Sequence, residues 1–208
     1  MCFSEGVNKQ RHRIMTTHIG PQHCIMDPTP DLPFSTIKRN DCYTIAGDYV
    51  GCAVRANAEN TYGDGYNAIG GGYEVLLWTD TEITMWFFPR NGPVPSSLHS
   101  VSPDPNAFGT PLARWTFRQS GCDLPRQTRD LQIVFNIDLC GDWVNAEWDR
   151  QCAAETGYGT CKEFVGRHPE AFREAYWTVG EVRWFESDKR RRDSAYRSVG
   201  MNETQFEY

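Results

Sequence analysis

Tyr73-Glu74-Val75-Leu76-Leu77-Trp78, then Thr79-Asp80-Thr81-Glu82, then Ile83-Thr84-Met85-Trp86-Phe87-Phe88 is the stretch from which the fold is read. Two runs of aliphatic, β-branched and aromatic residues flank a short polar segment, the pattern of a β-hairpin. Both runs are apolar at odd and even positions alike. Each is therefore expected to be buried on both faces, as strands are inside a sandwich.

Outward from the hairpin, short β-type runs continue, separated by Gly, Pro, Asn and Asp. Arg13-Ile14-Met15-Thr16-Thr17-His18-Ile19 alternates polar and apolar residues and stops at Gly20-Pro21. Leu131-Gln132-Ile133-Val134-Phe135-Asn136-Ile137-Asp138-Leu139 alternates more cleanly, and Trp177 to Phe185 reads as a final strand. Gly92-Pro93-Val94-Pro95 and Ser102-Pro103-Asp104-Pro105-Asn106 are loops. One region invites a helix: Cys161 to Ala175, with Thr160 as N-cap, Phe164, Val165 and Phe172 as packing residues, and Pro169 restarting the turn after His168. Two short helical turns are expected there. The expected fold is all-β, a β-sandwich with many loops and one or two helical turns near the C-terminus.

Composition bounds the function. A chain of 208 residues is long enough to bury a substantial core. The formal net charge of -6 argues against a nucleic-acid surface, which needs a surplus of Lys and Arg. No run of about 18 apolar residues is present to span a membrane. Eight cysteines, at 2, 24, 42, 52, 122, 140, 152 and 161, never fall in C-x-x-C spacing, so disulfides in an oxidising compartment are expected rather than a zinc or redox site. Met1 to Arg13 is polar, so a signal peptide is expected upstream of Met1. The five His residues lie at no metal-ligand spacing, and neither a phosphate loop nor a Gly-x-Ser-x-Gly elbow occurs. No metal and no cofactor are expected. From Ser187 onward the character changes: Lys189-Arg190-Arg191-Arg192 leads into polar residues without apolar periodicity, read as a disordered tail over 187–208 that contains the acceptor Asn202-Glu203-Thr204.

Several segments together carry a resemblance. Glu5-Gly6-Val7-Asn8, Met15-Thr16-Thr17-His18 leading to Cys24, Tyr62-Gly63-Asp64-Gly65-Tyr66-Asn67 and Gly70-Gly71-Gly72-Tyr73 come first. Trp86-Phe87-Phe88-Pro89-Arg90, Gly109-Thr110-Pro111, Cys140-Gly141-Asp142-Trp143, and Ala171-Phe172 through Ala175-Tyr176-Trp177 come after them. In this order and spacing they resemble glycoside hydrolase family 16, in particular the secreted fungal endo-1,3(4)-β-glucanases and laminarinases. The resemblance covers residues 5 to about 186 and implies a jelly-roll β-sandwich of the concanavalin A type. Its concave face would form a cleft for a β-glucan chain, and the protein would act as a monomer. Residues 1–186 would be the C-terminal part of such a domain, incomplete at the N-terminus.

The family's catalytic motif, Glu-x-Asp-x-x-Glu, places a retaining pair of carboxyls on one strand, about 5–5.5 Å apart. Side chains two apart share a strand face, and a bulge lets the last Glu join them. By resemblance Glu5 is the acid/base. In the six-residue form the nucleophile would precede Met1 and Cys2 would take the Asp position; in the five-residue form Met1 and Phe3 would replace nucleophile and Asp. Either way these 208 residues would lack the nucleophile, leaving as alternative a catalytically inactive, lectin-like β-glucan-binding remnant. His18 corresponds to a family His that hydrogen-bonds the carboxyl or a sugar hydroxyl, or else is satisfied within the sandwich. Trp143 either stacks on a glucose ring or packs in the core. Asn67 and Arg90 offer hydrogen bonds in the cleft or hold a turn and a surface ion pair. Trp78, Trp86, Trp177 and Trp184 read mostly as core.

Overall fold

A computed structural model of the chain describes residues 1–20, 23–28, 32–45, 50–119, 122–186 and 204–205. These fall into two compact units, residues 1–132 and 133–208.

The first unit holds two antiparallel sheets. One has the order β1-β2-β4-β3, made of β1 (Cys2–Glu5), β2 (Ile14–Thr17), β3 (Ser35–Ile37) and β4 (Cys52–Ala56). β2 and β4 are central, so Met15, Thr16 and Thr17 are all buried and Met15 lies opposite Val54. The other has the order β5-β6-β7: β5 (Gly72–Trp78), β6 (Glu82–Pro89) and β7 (Ala113–Thr116). The hairpin expected from the sequence is β5 and β6, paired from Gly72↔Pro89 to Trp78↔Ile83. Burial is less even than its composition implied: β6, between two partners, has a buried stretch from Ile83 to Trp86, whereas β5 is an edge strand with Leu76 exposed. Two apolar faces do not by themselves bury a strand; a neighbour on each side and a layer over each face do.

Met15, Val54, Ile83, Met85, Ala113, Trp115 and Leu124 form one core to which both sheets contribute. The Trp115 indole N–H crosses it to donate to the Cys52 carbonyl at 3.1 Å. A polar knot lies beside this core. Arg13, fully buried, donates from its backbone N–H to Thr61 Oγ1, from Nε to the Thr61 carbonyl at 3.1 Å, and from Nη2 to Glu74 Oε1 at 2.6 Å. Its guanidinium lies 4.9 Å from the Phe87 ring centre and 5.4 Å from that of Tyr66. Asp27 plays a smaller version of this role, its carboxylate accepting from the backbone N–H groups of Arg118 and Gln119.

The expected disulfides form: Cys24–Cys122 and Cys42–Cys52 in the first unit, and Cys140–Cys161 in the second. Cys2 and Cys152 remain thiols.

Helices are more numerous than the sequence patterns implied. Besides the expected α5 (Cys161–Arg167), capped by Thr160 Oγ1 and continued by a 3-10 turn at Pro169–Phe172, there are four others among the described residues. They are α1 (Gly63–Ala68), α2 (Leu124–Gln127), α3 (Asp142–Glu147) and α4 (Cys152–Thr156). Each is too short to show a 3.6-residue apolar period, which is why the pattern concealed them. In the second unit Trp148 is the buried anchor, its indole N–H donating to the Tyr158 carbonyl at 2.9 Å, and Phe164 packs against Trp148, Tyr158 and Phe172.

Two expected strands are not formed. Leu131–Leu139 has no ladder partner among the described residues, and Leu131, Ile133, Val134 and Leu139 are exposed. The run Trp177 to Phe185 is reduced to β8 (Thr178–Val179), paired with β9 (Thr204–Gln205), and one bridge at Val182. Alternation specifies a strand only where a neighbour accepts its backbone hydrogen bonds. Trp184 is correspondingly exposed and Trp177 half-buried, with its N–H on the Asn136 carbonyl; of the four tryptophans expected in strands, Trp86 is the buried one and Trp78 packs at the core's edge. Apart from Thr204–Gln205, the tail expected over 187–208 lies outside the described residues. No described helix is long and apolar enough to cross a membrane.

The Arg13 knot and the bridges generate two predictions. Glu74→Ala strands a buried guanidinium and is expected to cost about 3 kcal/mol, the low end of the range for a broken buried pair because Glu74 is partly exposed. Urea unfolding monitored by tryptophan fluorescence measures it. Removing Cys24–Cys122, which spans 98 residues, is expected to cost about 2 kcal/mol more than removing Cys42–Cys52, which spans 10, by loop-closure entropy. The denaturation midpoints of the paired Cys→Ala variants report the difference.

Candidate functional site

Glu5 ends β1, and the turn beyond it accounts for the residue types at positions 6 to 10. Asn8 adopts a left-handed φ of 55°, a conformation Asn tolerates, and the Gln10 backbone N–H closes the turn onto the Val7 carbonyl at 3.2 Å. The Gln10 side chain ties the two ends together, donating to the Glu5 carbonyl at 3.1 Å and the His12 carbonyl at 2.6 Å. Gly6 is small because Tyr62 lies on it: a Cβ there would come within 2.6 Å of Tyr62 Cε1 and 2.7 Å of Gln10 Nε2. The Tyr62 hydroxyl donates to the Gly6 carbonyl at 3.3 Å. Gly and Asn after the carboxylate are thus demanded by local geometry.

The bulge expected on this strand is present. β1 pairs with β2 at Cys2↔Thr16 and Glu5↔Ile14, a one-residue slip between them. In a regular strand residues three apart face opposite ways; the slip returns Cys2 and Glu5 to one side. His18, just past β2, joins them. One donor atom each from Cys2, Glu5 and His18 lies within 4.8 Å of the others, all three residues half-buried. Cys2 stands three positions before Glu5 and, across the slip, on the same side of the strand. Behind His18, Gly51 adopts φ 62°, and a Cβ there would come within 2.9 Å of the His18 Nδ1.

The electrostatics reflect this crowding. Burial pushes the Cys2 thiol above its ordinary pKa, and the Glu5 carboxylate, which also accepts the thiol's hydrogen bond, pushes the same way. Burial holds the His18 imidazole below its ordinary value, with the Met1 amino group adding to it. Burial also raises the Tyr62 phenol, with Glu5 again contributing. The group is a carboxyl, a thiol, an imidazole and a phenol, half-buried groups that can all donate or accept protons. Its thiol, carboxylate and imidazole are also metal-ligating atoms.

The remaining candidates are Asn67, Arg90 and Trp143. Asn67 is exposed near the end of α1, its carbonyl accepting the Gly70 N–H at 2.9 Å. Arg90 donates from Nε to the Gly70 carbonyl at 2.8 Å, so both residues bracket the Gly70-Gly71 turn, where φ is 72° and 74°. Trp143 lies in the second unit on α3 and is 38% exposed. Sequence reasoning missed Tyr62 and Gln10 as supports of the Glu5 strand. Tyr62 heads one of the segments that carry the resemblance, but it is 56 residues from Gly6 and nothing local pointed to that contact; Gln10 was legible only once the turn was known.

Residues 3–185 match the XgeA-like, catalytic GH16 domain. A probable endo-1,3(4)-beta-glucanase of Aspergillus clavatus is 32% identical over 186 residues, 88% of this chain and 28% of that protein. Among solved structures, an elongating GH family 16 beta-1,3-glucosyltransferase superposes with a TM-score of 0.71 at 33% identity over 84% of this chain and 58% of its own. Laminarinase 16A from Phanerochaete chrysosporium, with 6-O-glucosyl-laminaritriose in donor and acceptor sites, superposes with a TM-score of 0.65 at 32% identity and the same coverage. The chain thus spans well under half of the curated relative and over half of each structural one.

The packing beneath Glu5 is testable by a double-mutant cycle. Gly6→Ala is expected to destabilise by about 1–3 kcal/mol through overpacking against Tyr62. Tyr62→Ala vacates the ring and is expected to abolish most of that additional cost in the double variant, measured by chemical denaturation.

Proposed function

The chain belongs to glycoside hydrolase family 16, and from that premise we propose that its protein acts on internal β-1,3 or β-1,3/1,4 linkages of β-glucan by a retaining two-carboxylate mechanism. The observation that carries the reading is the bulge that turns Glu5 to the side of Cys2 and His18. In this reading Glu5 is the acid/base. It gives its proton to the leaving glycosidic oxygen, then takes one from the incoming hydroxyl. If that hydroxyl belongs to water the outcome is hydrolysis; if it belongs to a sugar, glucosyl transfer. His18 positions the carboxyl or a sugar hydroxyl.

Among the described residues, the Cys2 thiol and the His18 imidazole lie within 4.8 Å of the Glu5 carboxyl, and the Tyr62 phenol feels its charge. A retaining pair needs a second carboxyl about 5–5.5 Å away. In the six-residue register that carboxyl belongs to the position ahead of Met1. Residues 1–208 alone are accordingly proposed to bind β-glucan with little turnover, the lectin-like behaviour that the exposed indole of Trp143 favours. Three disulfides favour an extracellular protein.

Two measurements on residues 1–208 test this. Reducing sugar released from laminarin is expected not to exceed that of Glu5→Gln; clear excess overturns the assignment of the nucleophile to a position outside these residues. Calorimetric binding of laminari-oligosaccharides is expected to survive Glu5→Gln and to weaken roughly 3- to 10-fold in Trp143→Ala, the loss of one stacking contact. No binding by the unsubstituted chain overturns the glucan reading.

A further inference from the structure

Three residues of different chemistry converge where the sequence offered no ligand spacing. Cys2 brings a soft sulfur, His18 a borderline imidazole nitrogen and Glu5 a hard oxygen, with their donor atoms within 4.8 Å of one another. The bulge in β1 and the position of His18 past the end of β2 create this cluster. Cys2 is available because it is outside the three disulfides. In a tetrahedral site with bonds of about 2.0–2.3 Å, ligand atoms stand roughly 3.3–3.6 Å apart. Half-buried side chains reach that spacing with a shift of about an ångström.

We propose that Cys2, Glu5 and His18 form a binding site for a borderline divalent cation of the zinc type, with three protein ligands and a fourth position open to water. The mixed donor set decides the class. Calcium and magnesium take all-oxygen shells, whereas a sulfur, a nitrogen and a carboxylate oxygen suit zinc or cobalt. On binding, a metal–sulfur bond forms and the thiol proton leaves to solvent, so affinity rises with pH. Occupancy draws the Glu5 carboxylate into coordination, where it can no longer exchange protons, so the ion acts as a reversible inhibitor wherever Glu5 serves as acid/base. The site stands on these three residues alone and does not rest on the glucan reading.

The test is titration of the chain with Co2+ and Zn2+, without added reductant so that the disulfides persist. One equivalent of Co2+ is expected to give a thiolate-to-cobalt charge-transfer band in the near ultraviolet. Cys2→Ala is expected to abolish the band. Zn2+ affinity by calorimetry is expected to fall at least about tenfold in Cys2→Ala and in His18→Ala, since loss of an outer-shell partner alone costs that much. Cys152→Ala should leave band and affinity unchanged. Zn2+ is expected to raise the melting temperature of the unsubstituted chain and not that of Cys2→Ser, whose own melt without metal checks that it folds. Absence of the band in the unsubstituted chain, its loss in Cys152→Ala with retention in Cys2→Ala, or unchanged Zn2+ affinity in both ligand variants overturns the site.

Discussion

The buried guanidinium of Arg13 is the constraint on which the first unit depends. It lies one residue ahead of β2, and its donors reach the Thr61 carbonyl before α1 and the Glu74 carboxylate on β5. A charge taken out of water must be answered by fixed partners, so the segment from Glu59 to Tyr66 and the edge of the second sheet are held against the first. Tyr62 comes directly after Thr61, and its ring is what Gly6 makes room for. β1 itself is placed by its ladder with β2, and Tyr62 ties the turn after Glu5 to this knot.

Around that knot the disulfides constrain the topology. Cys24–Cys122 closes nearly the whole of the first unit, and Asp27 beside it satisfies the amides of Arg118 and Gln119. Cys42–Cys52 fixes the entry to β4, whose Cys52 carbonyl receives the Trp115 indole. The long loops between strands are therefore covalently tied at cysteines that sit in or against the apolar core.

The chemistry at Glu5 is a consequence of one extra residue. Without the slip in β1, Cys2 and Glu5 would face opposite sides of the sheet and His18 would meet only one of them. With it, a thiol stands three positions ahead of the carboxylate. Burial raises the pKa of that thiol, and the Glu5 carboxylate, which accepts its hydrogen bond, raises it further.

By itself the sequence determined the class of the fold, the hairpin at β5 and β6, the Thr160-capped helix, the presence of disulfides, and Glu5 with His18 as the polar pair to examine. These are local signals: strand composition, turn residues, a cap and cysteine counting all act over a few positions. Only the tertiary structure decided that Leu131–Leu139 and most of Trp177–Phe185 are not strands, that β5 is an edge, and that Trp184 faces solvent. A strand exists by virtue of its neighbour, and the neighbour is not written in the strand. The same holds for Tyr62 under Gly6, for the cysteine pairing, and for Cys2 beside His18. Each is a meeting of residues brought together by the packing of separate strands and loops, and sequence spacing carries no record of it.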